Sequence, residues 1–177
     1  QKGFGMKYKV TPTQQERVMR DDDFIISKTD LKGRISYCNR IFIEFSGYTE
    51  MELLGSQHNI IRHPDMPRGV FKLLWDAVDD GGEIFAYVKN MSKDGGYYWV
   101  IANVTANRDL QGNIEGFFSV RRKPSRGAVS AVTDLYRSML DEERRAGPRD
   151  ACAASIDMVT NLLSQKGVSY AQFVLSL

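Results

Sequence analysis

VKNMSKDGGYYWVIANVTANRD, residues 88–109, is two alternating runs joined by a tight turn. EIFAYVKNMS (83–92) and GYYWVIANVTANRD (96–109) both alternate in the strand period and are rich in β-branched and aromatic residues. DGG between them is hairpin chemistry, because its glycines accept the positive φ that a short turn demands. DLQGN (109–113) is a second turn, IEGFFSVRRK (114–123) a third strand, and Pro124 stops it. Upstream, FIISKTD (24–30) and ISYCN (35–39) flank the turn LKGR (31–34). That predicts a further hairpin over 24–39 with Gly33 in its turn.

Between the two strand groups the period changes to that of a helix. RIFIEFSGY (40–48) spaces Ile41, Phe42, Phe45 and Tyr48 helically, and Gly47 ends the helix. Thr49 with Glu52 three residues on is a capping box, and Gly55 closes that short helix. PRGVFKLLWDAVDDGG (67–82) is a longer helix. Pro67 stands at its start, Val70, Phe71, Leu74 and Val78 share one face, and Gly81-Gly82 ends it. TPTQQERVMRDD (11–22) is predicted as a short helix capped by Thr13, after an extended arm. Beyond Ser125 three amphipathic stripes follow. Val129, Val132, Leu135, Tyr136, Met139 and Leu140 form the first, and AGPRD (146–150) breaks it. Ile156, Val159, Leu162 and Leu163 form the second, ended by Gly167, and Tyr170, Phe173, Val174 and Leu177 begin the third.

The order predicts an α+β fold, a five-stranded antiparallel sheet with short helices on one face plus C-terminal amphipathic helices. The divisions are an arm and short helix at 1–21, a sheet domain at 22–124 and a helical segment at 125–177. Apolar residues make up 42% of the 177, enough for a core, and the formal net charge of +2 gives no basis for binding nucleic acid. No apolar run is long enough to span a membrane, and Cys38 and Cys152 lack a CxxC partner, so a reducing cytoplasm is the expected location.

Both histidines fall in HNIIRHPDMP (58–67), which also holds Arg62 and Asp65. A zinc site asks for about three or four ligands, and here only His58, His63 and Asp65 offer themselves. No nucleophile–base motif marks a hydrolase. A flat cofactor fits better. An arginine and a histidine can hold phosphate or ribose oxygens, and the amides of Asn39, Asn59, Asn90 and Asn103 can pair with the edge of a ring. Aromatics are abundant nearby, Trp75, Phe85 and Trp99 among them, although strand aromatics also simply build core. Asn39 equally suits a helix N-cap, and Asp65 a cap for the helix after Pro67.

The pieces DLKGRISYCNRIFIEFSGYTEMELLG, HNIIRHPDMP, LLWDAV, VKNMSKDGGYYWVIANVTANRD and GNIEGFFSVRRKPS resemble the PAS domain of Aer-type aerotaxis receptors over about residues 22–125. SGYTEMELLG and KDGGYYW are general PAS features, whereas HNIIRHPDMP accompanies non-covalent FAD in that family. The resemblance implies a redox sensor rather than an enzyme, feeding a downstream chemotaxis signalling domain and working as a homodimer through its N- and C-terminal helices. It carries Arg62, His63 and Asp65 onto the FAD-supporting motif, Asn39 and Asn90 onto polar contacts, and Trp75 onto a helix tryptophan. His58, Asn59 and Trp99 complete the candidate set, with Phe85 where the family often has tryptophan. Light-sensing flavin relatives carry Asn-Cys where this chain has Asn59-Ile60, so a thiol adduct is not expected. The alternatives are a haem-binding PAS domain, with His58 or His63 as axial ligand, and a ligand-free dimerisation module.

Overall fold

The computed structural model describes residues 10–177. β1 (Ile25–Asp30), β2 (Ile35–Cys38), β3 (Glu83–Met91), β4 (Tyr97–Arg108) and β5 (Ile114–Arg122) form one sheet in the order β2-β1-β5-β4-β3. Every neighbouring pair is antiparallel. The β3–β4 register runs from Glu83↔Thr105 to Met91↔Tyr97, as the alternation of both runs requires. The remaining strand, β5, closes the gap between the two hairpins by pairing β1 on one side and β4 on the other.

The short helices are set by local chemistry. Asn39 caps α1 (Arg40–Ser46), and Gly47 ends it at φ 71°. Thr49 and Glu52 form the expected capping box of α2 (Glu50–Leu53). A 3₁₀ turn at His58–Ile61 and α3 (Arg68–Asp79) complete the layer over one face of the sheet. Phe42, Leu53, Val70, Val78, Tyr98 and Val100, each at most 1% exposed, are the core between them.

α4 (Arg126–Gln165) and α5 (Tyr170–Leu175) follow β5. α4 is broken at Gly147, whose φ of 80° and ψ of 168° suit glycine alone. Its first half crosses the outer sheet face, where Tyr136 stacks on Trp99 and its hydroxyl donates to the Tyr87 carbonyl at 2.6 Å. Its second half packs against α3, and α5 lies beside the edge strand β3.

Two expectations are corrected here. The predicted helix over 11–22 does not form; the segment is irregular, with a bridge at Glu16 and a turn at Asp21-Asp22. Its backbone bonds go instead to the β3–β4 hairpin: Thr13 donates to Gly95, Arg17 to Tyr97, and Tyr97 to Gln15. Arg17 also pairs with Asp94 at 2.6 Å. The extended arm assigned to the first residues lies outside the described residues, except for its last few. The apolar stripe of α4 does not wait for a second subunit either. Val132, Leu135, Tyr136 and Met139 are 1%, 9%, 3% and 1% exposed within one chain, so these four need no second subunit to cover them, while Val129 and Leu140 of the same stripe are half-buried.

Met139→Ala tests this placement. Removing a buried methionine side chain costs about 2–5 kcal/mol, and the loss measured by urea unfolding should be independent of protein concentration. A stripe covered by a partner would give a loss that grows on dilution.

Candidate functional site

Strand parity decides what faces the space between sheet and helices. On β5 the residues Phe117, Ser119 and Arg121 point inward, and on β1 Ser27 and Thr29 do. Val88 and Asn90 of β3, and Ala102 and Val104 of β4, continue that face. Phe71, Leu74 and Trp75 of α3 and His58, Asn59, Ile61 and Arg62 of the 3₁₀ turn close the other side. The result is a cavity of about 230 Å³ with a mainly apolar wall.

One wall is electrostatically unusual. Arg121 is 2% exposed, and no carboxylate of the described residues pairs with it. Its guanidinium donates to Ser27 Oγ at 2.5 Å, meets His58 Nε2 at 3.2 Å and lies 4.6 Å from the centre of the Phe42 ring. Its Nε and the Thr29 hydroxyl are buried without a hydrogen-bond partner. Burial draws the Arg121 pKa down to about 10. Burial and then the Arg121 charge draw His58 down to about 3, so its imidazole is neutral and its Nε2 accepts.

Arg62 lines the cavity with its guanidinium 4.5 Å from the Phe71 ring centre, and it bridges Asn90 on β3. Trp75 meets Phe117 edge-on across the same space. Asn90 is 4% exposed and reaches the cavity from the edge strand.

Five of the candidate residues therefore come together: His58, Asn59, Arg62, Trp75 and Asn90. The others do not line the cavity. The Asn39 amide is consumed locally, accepting from Phe42 N and Ile26 N and donating to the Phe24 carbonyl. Phe85 and Trp99 have the opposite strand parity and lie on the outer sheet face. His63 and Asp65 fasten the segment instead. His63 Nδ1 accepts from Asp65 N at 3.0 Å, and its ring meets Tyr97 edge-on. Asp65 accepts from Lys89 at 2.7 Å rather than capping α3. Burial and the Lys89 charge hold His63 down at about 4. Although burial opposes it, the Lys89 ammonium holds the Asp65 carboxyl below the usual carboxylate range. Sequence reading missed Arg121, Ser27, Thr29 and Ser119, whose inward facing follows from the pairing registers of β1, β4 and β5.

Residues 35–121 match the family model described as PAS fold. The chain is 39% identical over 127 residues to the aerotaxis receptor of Escherichia coli, a match covering 72% of this chain and 25% of that protein. It is 27% identical over 97 residues to the nitrogen fixation regulatory protein of Klebsiella pneumoniae, covering 55% of this chain and 20% of the relative. The chain thus spans a quarter or less of these relatives. A light-oxygen-voltage domain studied with a flavin analogue superposes with a TM-score of 0.52 at 23% identity, covering 70% of this chain and 87% of that one. At that identity the likeness speaks to fold.

Acid should weaken the site. His58 and His63 are both neutral when folded but ordinarily titrate near 6.5. The stability this confers is complete above pH 6.5 and lost as pH falls toward about 4 and 3. Melting temperature should therefore drop between pH 7 and pH ~5, and His58→Gln should flatten part of that drop.

Proposed function

We propose that this chain, which carries a PAS domain of the aerotaxis-receptor kind, is a redox sensor that holds the ring of FAD in its inner cavity. The observation that carries the reading is the buried, uncompensated Arg121 in the wall of a cavity that also holds an unpartnered Thr29 hydroxyl. A buried cation is expensive unless something supplies electron-rich acceptors, and the carbonyl and nitrogen edge of a flavin is such a partner. The cavity, at about 230 Å³, is smaller than the roughly 300–1,000 Å³ of a drug-sized site. It suits a flat ring and leaves the phosphate arm to the rim, where Arg62 and Asn59 stand.

A bound flavin supplies reversible uptake of electrons and protons. Arg121 would favour negative charge on the ring, because it is always cationic and poorly solvated here. Asn90 offers both an N–H donor and a carbonyl acceptor, so it can pair with either protonation state by turning its amide. Trp75 and Phe117 supply the apolar walls. The altered pairing would pass through the helical segment to a chemotaxis signalling domain.

The haem alternative is less well supported. His58 Nε2 is already engaged by a guanidinium and a hydroxyl, and His63 stands outside the cavity. Neither cysteine lines the cavity, which argues against a thiol adduct.

The purified protein should be yellow, with flavin absorption that bleaches on chemical reduction. A colourless protein that takes up no FAD on reconstitution overturns the reading. Arg121→Met should weaken FAD binding about tenfold to a hundredfold, since a hydrogen bond to a charged group contributes roughly 1.5–3 kcal/mol. The same change should raise the melting temperature of the FAD-free protein, because it removes an unpaired buried charge. Asn90→Asp should lower the flavin's midpoint potential, measured by spectroelectrochemistry, because it sets a negative charge against electron uptake.

A further inference from the structure

The amino end of α3 is closed from outside its own segment. Pro67, at the N-cap, makes no side-chain capping bond. The Gly69 N–H instead donates to Glu143 Oε1 at 3.0 Å, and the Ser155 hydroxyl donates to the same oxygen at 2.7 Å. Glu143 is 8% exposed and Ser155 0%. A Cβ at position 69 would overlap the Ser155 hydroxyl and crowd Met139 and Ile156. Only glycine therefore lets the second half of α4 approach so closely.

One carboxylate oxygen thus joins three pieces: α3 and the two halves of α4 on either side of the Gly147 break. α3 is also a cavity wall, through Phe71, Leu74 and Trp75, and Phe71 carries the Arg62 guanidinium on its ring. A helix moves as a rigid unit, so displacement of its inner face displaces Gly69. A hydrogen bond weakens steeply as its angle and length leave the favourable range. At Gly147 the backbone is not helical, and the angle between the two halves is set by what they touch.

We propose that Glu143 is a positioning residue that couples the cavity to the output end of the chain: its carboxylate, shared by Gly69 and Ser155, holds the second half of α4 in a position that depends on what fills the cavity. This rests on the reading that the cavity takes FAD.

The test is amide hydrogen exchange, read by mass spectrometry, on the whole chain with and without FAD. Loading should change exchange across residues 148–165 roughly fivefold or more, the low end of allosteric coupling. In Glu143→Ala that response should vanish while absorbance shows FAD still bound. Glu143→Gln keeps an acceptor oxygen and should restore it. An undiminished response in Glu143→Ala, or no response in the unmutated chain that binds FAD, overturns the proposal. If Glu143→Ala does not fold, Ser155→Ala gives the same comparison with one donor removed. A chain that takes up no FAD sinks the functional reading instead. The coupling is then tested in the empty protein by a cycle of Phe71→Ala with Glu143→Ala. The change that Phe71→Ala causes at 148–165 should disappear without Glu143, and additive effects overturn the proposal.

Discussion

A guanidinium enclosed without a counter-charge constrains this molecule more than any other single group. Arg121 is held by one hydroxyl, one neutral imidazole and the face of Phe42. Those contacts orient it but do not neutralise it. Desolvating a cation costs several kcal/mol, even after relaxation. The empty domain must carry that cost within a folding free energy of only about 5–15 kcal/mol. A ligand that presents acceptors to Arg121 therefore stabilises the fold as it binds. Site and stability are opposed in the empty state and allied in the filled one.

The segment that gathers both histidines divides at Arg62. Its first part faces the cavity through His58, Asn59 and Arg62. Its second part turns onto the edge strand, where His63, Asp65, Lys89 and Tyr97 lock together. The clustering of polar groups thus has two physical reasons: one part touches the pocket, and the other fixes where that part sits. The lock also covers β3, whose free edge would otherwise expose unpaired backbone groups.

Much of this was legible from local rules. The hairpin turns, the Asn39 and Thr49 caps, the helix ending at Gly47 and the break at AGPRD all follow from chemistry within a few residues. The failures concern partners distant in sequence. Residues 11–22 carry helical signals, yet their backbone is paired with a hairpin about eighty residues away, and β-pairing overrode propensity. Phe85 and Asn90 are an odd number of positions apart, so a regular strand puts them on opposite faces. That alone separates the outer-face aromatic from the cavity amide. Arg121 was hidden in the run Arg121-Arg122-Lys123, which reads as a solvated strand end until the pairing of β5 turns one of the three inward.

Two lines of contact lead from the cavity to α4, and they differ in stiffness. β3 carries one: Val88 and Asn90 face inward, and the carbonyl of Tyr87 accepts from Tyr136 on the outer side. That strand is laddered to β4 along its length and bridged by Arg62 on its other edge, so displacing it breaks several hydrogen bonds at once. α3 carries the other, and its amino end meets α4 through two polar contacts, the shared Glu143 carboxylate and a long Arg68 bond to the Pro148 carbonyl at 3.4 Å, beside side-chain packing. Distortion concentrates where few bonds resist it. The sheet can thus serve as the fixed frame against which α3 moves, and Gly147 provides a helix break in α4 where such a movement can become a change of angle.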